Sequence, residues 1–144
     1  MKKINQQGTK IFCKLLKKLN GQQHLKLSTE EFMPLTLELI EENISTPWGN
    51  GKLYSLAHYY ELNGDLMRDP EMCFVVVDNR KDEKDFDFIG IYPQMFQQNN
   101  LGLYEESVCI ENGKLTTYIK TWQDGHCSFA NLWLQNINKQ GFLK

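Results

Sequence analysis

The chain has 144 residues, of which 41% are hydrophobic and 24% charged, and its formal net charge is −2. This composition suits one globular domain spanning residues 1–144 and argues against wholesale disorder. No apolar run approaches the roughly 20 residues that a membrane-spanning helix needs, and the N-terminus lacks the apolar core of a signal peptide. We therefore expect a cytoplasmic protein of bacterial type with no membrane partner.

The four cysteines are scattered along the chain and form no CxxC pair: Cys13, Cys73, Cys109 and Cys127. Structural zinc sites use closely spaced pairs of cysteines or histidines, so this pattern gives a zinc site little support. Isolated cysteines in apolar segments usually act as small hydrophobic residues. The sequence thus predicts reduced thiols, no metal and no cofactor.

The first predicted element is an amphipathic helix, because apolar residues recur at helical spacing from Ile4 to Leu19. We predict a helix over Thr9–Leu19 at minimum, with a start nearer Lys3 also open. Thr9 is the expected N-cap, and Asn20-Gly21 supplies the left-handed residue that commonly ends a helix.

Lysines give this segment a positive charge, since residues 1–26 contain seven of them and no acidic residue. Four lie between the apolar positions of the helix: Lys10, Lys14, Lys17 and Lys18. The preferred interpretation is a solvated face of a helix that packs on a sheet. Contact with nucleic acid or an acidic partner is the alternative, and binding to a membrane surface has least support.

The next segment alternates between turn and strand signals. Ser28–Glu31 can cap a single helical turn, and Pro34 stops any longer helix. Leucines alternate with polar residues over Leu35–Leu39, which predicts a strand with one buried face. Ser45–Lys52 has the composition of a loop, in which Trp48 either folds back over the core or contacts a partner.

Two strand-like segments, Leu53–Tyr60 and Met72–Val77, follow. Between them, Asn63-Gly64-Asp65 tolerates positive φ and Asp69-Pro70 favours extended backbone, so we predict a loop. Together with Trp48, its polar and aromatic residues are the candidate binding residues: His58, Tyr60, Asn63, Asp65, Arg68, Asp69 and Glu71.

The same run, HYYELNGDLMRDPEM, resembles a stretch in a family of small uncharacterised bacterial proteins of mobile elements and phages. In that family a sequence like HYYEQNGDLMRDPEM recurs. The resemblance covers His58 to Met72, with Leu62 in place of the family's Gln. It implies an accessory protein of a mobile element, and it brings no catalytic residues with it.

Three roles remain open for the His58–Glu71 cluster. Arg68 can brace the loop by pairing with Asp65 or Asp69 while His58 bonds a backbone carbonyl. The cluster can instead be a binding surface. In the third alternative, His58, Asp65 and Asp69 converge as the centre of a metal-dependent hydrolase. Catalysis has least support, because the chain has no phosphate-binding glycine loop, HExxH, GxSxG or EF-hand motif.

Beyond this cluster, the charged run Asp78–Asp85 predicts a solvated turn, and Phe86–Tyr92 predicts a strand that Pro93 interrupts. The form of Gln94–Asn100 is left open.

Asn112-Gly113 is a strong signal for a two-residue hairpin. Setting Glu111 opposite Lys114 predicts further pairs across the hairpin: Ile110 with Leu115, Val108 with Thr117, Glu106 with Ile119, and Glu105 with Lys120. Asp124-Gly125 is expected to end the second strand. Ser128 then caps a final helix whose apolar face holds Phe129, Leu132, Trp133 and Ile137.

These elements predict an α+β fold, with a largely antiparallel sheet of five to six strands and a helix from each end of the chain packed on one face. The other face would be free for solvent or a partner. The leading hypothesis is a protein-interaction module that uses the loop over 58–71. Nucleic-acid binding by the first helix and metal-dependent hydrolysis are the alternatives, and the oligomeric state is open.

Overall fold

A computed structural model describes all 144 residues, Met1–Lys144. The fold is α+β, with two helices and an open, mostly antiparallel sheet of eight strands rather than the five to six expected. In chain order the elements are α1 (Gln6–Leu19), β1 (His24–Leu27), β2 (Leu35–Thr46), β3 (Gly49–Leu62), β4 (Asp65–Asp78), β5 (Ile89–Gln98), β6 (Leu103–Glu106), β7 (Val108–Glu111), β8 (Lys114–Tyr118) and α2 (Lys120–Lys139).

The strands lie in the order β6-β5-β4-β3-β2-β8-β7, and β1 pairs with the first part of β2. All pairs are antiparallel except β2 with β8, which meet in parallel at Ser45 and Lys114. The central strands β2, β3 and β4 have 12, 14 and 14 residues, and β6 and β7 lie at the two ends of this order.

The helix α1 begins at Gln6, between the two starts that the sequence left open, and Asn5 and not Thr9 is its N-cap. The Gly8 N–H donates to Asn5 Oδ1 at 2.8 Å, while the Thr9 hydroxyl donates to the Asn5 carbonyl from inside the first turn. Asn20 ends the helix with φ at 51°. The left-handed C-cap was thus predicted at the right place, and the N-cap was wrong.

The helix α2 begins earlier than expected, at Lys120 instead of Ser128. Gly125 lies inside this helix and does not end the preceding strand. As a result the buried stripe is rotated from the predicted one: Trp133 and Ile137 are buried, whereas Leu132 is 60% exposed. Neither helix is long and apolar enough to span a membrane.

Between α1 and β3 the turn predictions were partly wrong. Ser28–Glu31 contains no helical turn, since only a bend over residues 30–32 follows, and β1 before it was not expected. The strand at Leu35 continues to Thr46. Only Pro47 and Trp48 separate it from β3, so most of the predicted loop is strand.

Pro93 does not interrupt the strand in which it lies. Phe86–Phe88 is a turn of 3-10 helix, after which β5 continues through Pro93 to Gln98. The pairing with β4 shifts register between Cys73 and Phe74, opposite Met95 and Pro93. A sheet tolerates a proline at such an irregularity, because the ladder is already interrupted there and the missing N–H of proline leaves no further bond unmade.

The β7–β8 hairpin has the predicted turn, with Glu111 opposite Lys114 and Ile110 opposite Leu115. A register shift at Cys109 then places Val108 opposite Tyr118 and not Thr117. Glu105 and Glu106 were wrongly assigned to this hairpin. They belong to β6, which pairs with β5.

Both faces of the sheet carry a core. Between the sheet and the two helices lies a cluster of 20 buried residues that includes Phe12, Leu56 and Trp133. On the opposite face, a smaller cluster around Ile44 and Val75 packs against the β7–β8 hairpin through Ile110. The face expected to be free is therefore covered at one end and open only towards the other.

Candidate functional site

The stretch from Tyr54 to Asp78 forms one long hairpin and not two strands joined by a loop. Leu62 ends β3, Asp65 begins β4, and only Asn63 and Gly64 lie between them, with φ of 51° and 85°. These values suit the type I′ turn that matches the twist of paired strands. The loop prediction was therefore wrong, and most of the candidate residues lie on strands.

The far end of this hairpin extends beyond the rest of the sheet. The β2 strand last pairs with β3 at His58, and β5 last pairs with β4 at Glu71. Past these points, residues 59–68 form a two-stranded segment that we call the ribbon. Residues 61–66 at its tip are exposed, including Leu62 at 49% and Leu66 at 47%.

The pairing of the ribbon determines which backbone groups point outward. Leu62 and Asp65 close the turn, so they face each other as a hydrogen-bonded pair, and the pairs alternate from there. The N–H and C=O groups of Glu61, Leu66 and Arg68 therefore point away from the ribbon. On the β4 side the Arg68 N–H donates to Asn99 Oδ1 at 2.6 Å. On the β3 side no strand pairs with Glu61.

Glu71 braces the base of the ribbon on the open face of the sheet. Ser55 Oγ donates to its Oε2 at 2.5 Å and Gln97 Nε2 to its Oε1 at 2.8 Å, and Arg68 Nε lies 3.3 Å from Oε1. Both oxygens have partners, and the side chain is 13% exposed. Asp69 is engaged in the same way, since its Oδ1 accepts from Gln98 Nε2 at 2.7 Å.

Next to this network lies the buried thiol of Cys73. Burial raises the pKa of its thiol to about 12, and the negative charge of Glu71 adds to that shift. A thiol in this state carries almost no thiolate at neutral pH, and the thiolate is the reactive form. Cys73 is therefore not an activated thiol.

His58 lies on the opposite, helix-covered face. Its Nδ1 is 3.1 Å from the Met33 carbonyl oxygen, and its ring contacts those of Trp133 and Phe142 at centroid distances of 5.8 and 5.4 Å. Burial lowers the pKa of this imidazole, and its backbone partners oppose the shift. The histidine thus bonds a backbone carbonyl, as one of the predicted alternatives requires.

The proposed metal centre does not assemble. Asp65 is exposed at the tip of the ribbon, Asp69 bonds Gln98, and His58 lies under α2. No three His, Cys, Asp or Glu side chains anywhere in the structure are grouped so that they could hold a metal ion.

The remaining candidates are spread over the sheet. Tyr60 pairs with Met67 in the ribbon, and Asn63 forms the turn. Trp48 lies at the other end of β3, where its ring stacks on Tyr92 at 4.4 Å. A strand of 14 residues is about 45 Å long, so Trp48 and the ribbon cannot share one contact surface.

The lysine candidates separate as well. Lys10, Lys14 and Lys17 line a groove of about 800 Å³ beside Arg80 and Lys84, whereas Lys18 does not. Arg80 and Lys84 belong to the charged run Asp78–Asp85, which predicts a solvated turn. Their proximity to α1 is a tertiary contact that no local pattern predicts.

Residues 10–143 match the family described as Domain of unknown function (DUF6908). The chain belongs to this family. Searches of curated proteins and of solved structures found no match. The DUF6908 match spans the ribbon, the Glu71 network and the lysine groove, so every candidate surface lies inside the family domain. That description names no activity.

Proposed function

We propose that this DUF6908 chain is a protein-interaction module, which binds an extended segment of a partner protein along the free β3 edge of the ribbon. The observation that carries the proposal is the unpaired edge at Glu61, where backbone N–H and C=O groups point outward with no neighbouring strand. An added strand would satisfy these groups by main-chain hydrogen bonds, as in other cases of strand addition.

The exposure of this edge is unusual for a sheet. Proteins normally cover or blunt a free edge, because its backbone groups can pair with another chain. On the β4 side of the ribbon this rule is followed at Arg68, whose N–H donates to Asn99 Oδ1. Lys26 covers Tyr59, with its ammonium 5.7 Å from the ring centroid. Glu61 and Leu62 beyond it have no comparable cover.

The side chains along the edge indicate the chemistry of the segment that fits. Tyr60 and Leu62 lie on one face of the ribbon, and Glu61 lies on the other. From Tyr60 to Met67 the ribbon carries Glu61 and Asp65 and no basic residue. A segment that places apolar side chains beside Leu62 and lysine or arginine beside Glu61 would be complementary.

The biological setting belongs to the same proposal. The resemblance over His58–Met72 supports an accessory role in a bacterial mobile element or phage. The four cysteines are all free thiols, which is compatible with a reducing compartment such as the cytoplasm.

The test is a selection of displayed random peptides on the purified chain, with Glu61→Pro as the counter-selecting variant. Proline at this position removes an outward N–H and leaves the ribbon pairing intact. We expect enriched peptides to alternate apolar and basic residues and to bind Glu61→Pro at least tenfold more weakly. Glu61→Ala, which removes the carboxylate but keeps the N–H, should weaken binding less than Glu61→Pro does.

Two further variants control for surface hydrophobicity. Leu62→Ser should weaken binding of the selected peptides, whereas Leu132→Ser, which changes an even more exposed leucine on α2, should not. If no peptide distinguishes the parent chain from Glu61→Pro, the edge is not a binding site. A concentration-dependent dimer that Glu61→Pro abolishes would show instead that a second copy of the chain occupies the edge.

A further inference from the structure

A second surface lies at the other end of β4, between α1 and the turn that follows Asp78. It is a groove of about 800 Å³, and we call it the basic groove. Lys10, Lys14 and Lys17 form one wall, and Lys84 lies on the other. Their spacing of four and three residues places the three helix lysines on one face of α1.

The charged side chains that line this groove are mostly positive. Glu83 is the only acidic residue in its lining, against four lysines and Arg80. An adjoining cavity of about 500 Å³ is balanced, because Lys52, Arg80 and Lys81 are offset there by Asp78, Asp82 and Glu83. The whole chain has a net charge of −2, so the groove differs in sign from the rest of the molecule.

Arg80 holds the two walls in position. Its Nε and Nη2 donate to the two carboxylate oxygens of Asp78 at 2.9 Å each, and its Nη1 donates to the Glu83 carbonyl at 3.1 Å. The same Nη1 lies 3.4 Å from the Cys13 sulfur on α1. Arg80 therefore links the two walls, and Asp78 balances its charge. The four lysines supply the positive electrostatic potential of the groove.

These lysines are available to a ligand. Lys17 and Glu83 approach to 3.5 Å, but their side chains are 76% and 69% exposed, and such surface pairs contribute little. Lys10 lies over the Phe86 ring, 5.5 Å from its centroid, which holds the ammonium at the groove without an opposing charge.

We propose that the basic groove binds the phosphate backbone of single-stranded nucleic acid. Lys10 and Lys17 are about 10 Å apart along the helix axis, so together they reach more than one phosphate group of a chain. A positively charged groove that follows a single strand is a recurring solution for such ligands. The groove lies at the opposite end of β4 from the ribbon, so the two proposed surfaces are separate.

Fluorescence anisotropy with a labelled oligothymidylate of about twelve nucleotides tests this proposal. We expect log Kd to depend on log salt with a slope of magnitude about 3, since four lysines each contribute about 0.7 for a single strand. The triple variant Lys10→Gln/Lys14→Gln/Lys17→Gln should reduce that magnitude by about 2 and weaken binding at least tenfold at low salt.

The control triple Lys52→Gln/Lys81→Gln/Lys114→Gln removes the same charge outside the basic groove and should bind like the parent chain. Glu83→Gln removes the one opposing acid and should strengthen binding, which an unfolded variant cannot do. Far-UV circular dichroism confirms that each variant folds.

Three results would overturn the proposal. A flat titration to micromolar protein at low salt excludes the site, and equal losses in the two triple variants would mean that binding follows total charge. Tighter binding of the matching duplex, or of inorganic polyphosphate with no binding of the oligonucleotide, would assign the groove to another ligand. Competition by the oligonucleotide against a mononucleotide, with the oligonucleotide preferred, supports the proposal.

Discussion

His58 combines a titratable group with a buried position, so it links the stability of the fold to pH. Its ring lies between the Met33 carbonyl and the aromatic rings of Trp133 and Phe142. Burial disfavours the charged imidazolium, and the pKa of folded His58 is below its ordinary value of 6.5. The unfolded chain therefore binds a proton at a pH where the folded chain does not.

The sign of the effect follows from this difference. Above about pH 6.5 the histidine is neutral in both states and does not change the free energy of unfolding. Below that pH the unfolded state gains a proton that the folded state does not bind, and the free energy of unfolding falls. Stability should thus fall as the pH drops from about 6.5 towards the folded pKa, by at most about 1.4 kcal/mol per pH unit for this one proton.

The measurement is urea unfolding at several pH values for the parent chain and for His58→Gln, which can still donate to the Met33 carbonyl but does not titrate. His24 and His126 are common to both proteins, so the difference between the two slopes isolates His58. The variant should show the shallower dependence between about pH 7 and pH 5. Identical slopes would mean that the imidazole is protonated equally in the folded and unfolded states.

At the scale of elements, two glycines should respond in opposite directions to the same substitution. Gly125 lies exposed within α2, and an added Cβ would have no atom within 4 Å, so Gly125→Ala should raise the free energy of unfolding by about 0.5–1 kcal/mol. Gly64 has φ at 85° in the ribbon turn, a conformation that disfavours a Cβ. Gly64→Ala should therefore lower the free energy of unfolding by about 1–2 kcal/mol.

Chemical denaturation of both variants gives the test. A loss of stability in Gly125→Ala would support the sequence-based expectation that Asp124-Gly125 is a turn, and it would contradict the continuous helix from Lys120. Gly64→Ala serves as the matched case, because its glycine has equally open surroundings and differs in backbone conformation.

The two Asn-Gly turns show how far local patterns predict this fold. At Asn112-Gly113 the flanking residues alternate cleanly, and the hairpin was predicted with its first two pairs. The same dipeptide at Asn63-Gly64 was interpreted as part of a polar loop. There the flanking strands extend past the core into solvent, so they lack the apolar alternation by which a sequence reveals a strand.

The candidate site was less predictable than the fold. Seven of the eight proposed residues came from one contiguous stretch, yet successive residues of a strand point to opposite faces of the sheet. Glu71 therefore meets Ser55 and Gln97 from other strands, while His58 lies on the far side. The pairing of Arg80 with Asp78 beside α1 likewise depends on tertiary structure.

At the scale of the molecule, the central strands contribute side chains to both cores. In β3 and β4, Leu56 and Phe74 point towards the helices, whereas Leu53 and Val75 point towards the β7–β8 hairpin. Removing either layer would expose one face of the same strands. We therefore expect the chain to unfold as one cooperative unit, in keeping with a single domain.

Tryptophan reporters can test this cooperativity, because Trp133 lies in the helix-side core and Trp48 stacks on Tyr92 of the other. In a Trp122→Phe background, Trp48→Phe leaves only the first reporter and Trp133→Phe only the second. In each variant the fluorescence transition should coincide with that of far-UV circular dichroism.

Core substitutions extend the same test. Leu56→Ala and Ile44→Ala delete fully buried side chains from different cores, and each should cost about 2–5 kcal/mol while keeping one transition for both reporters. A Trp48 transition that precedes the loss of helical signal, above all in Ile44→Ala, would show that the β7–β8 side unfolds by itself. The sheet would then hold two separately stable layers, and the strands they share would not be enough to couple them.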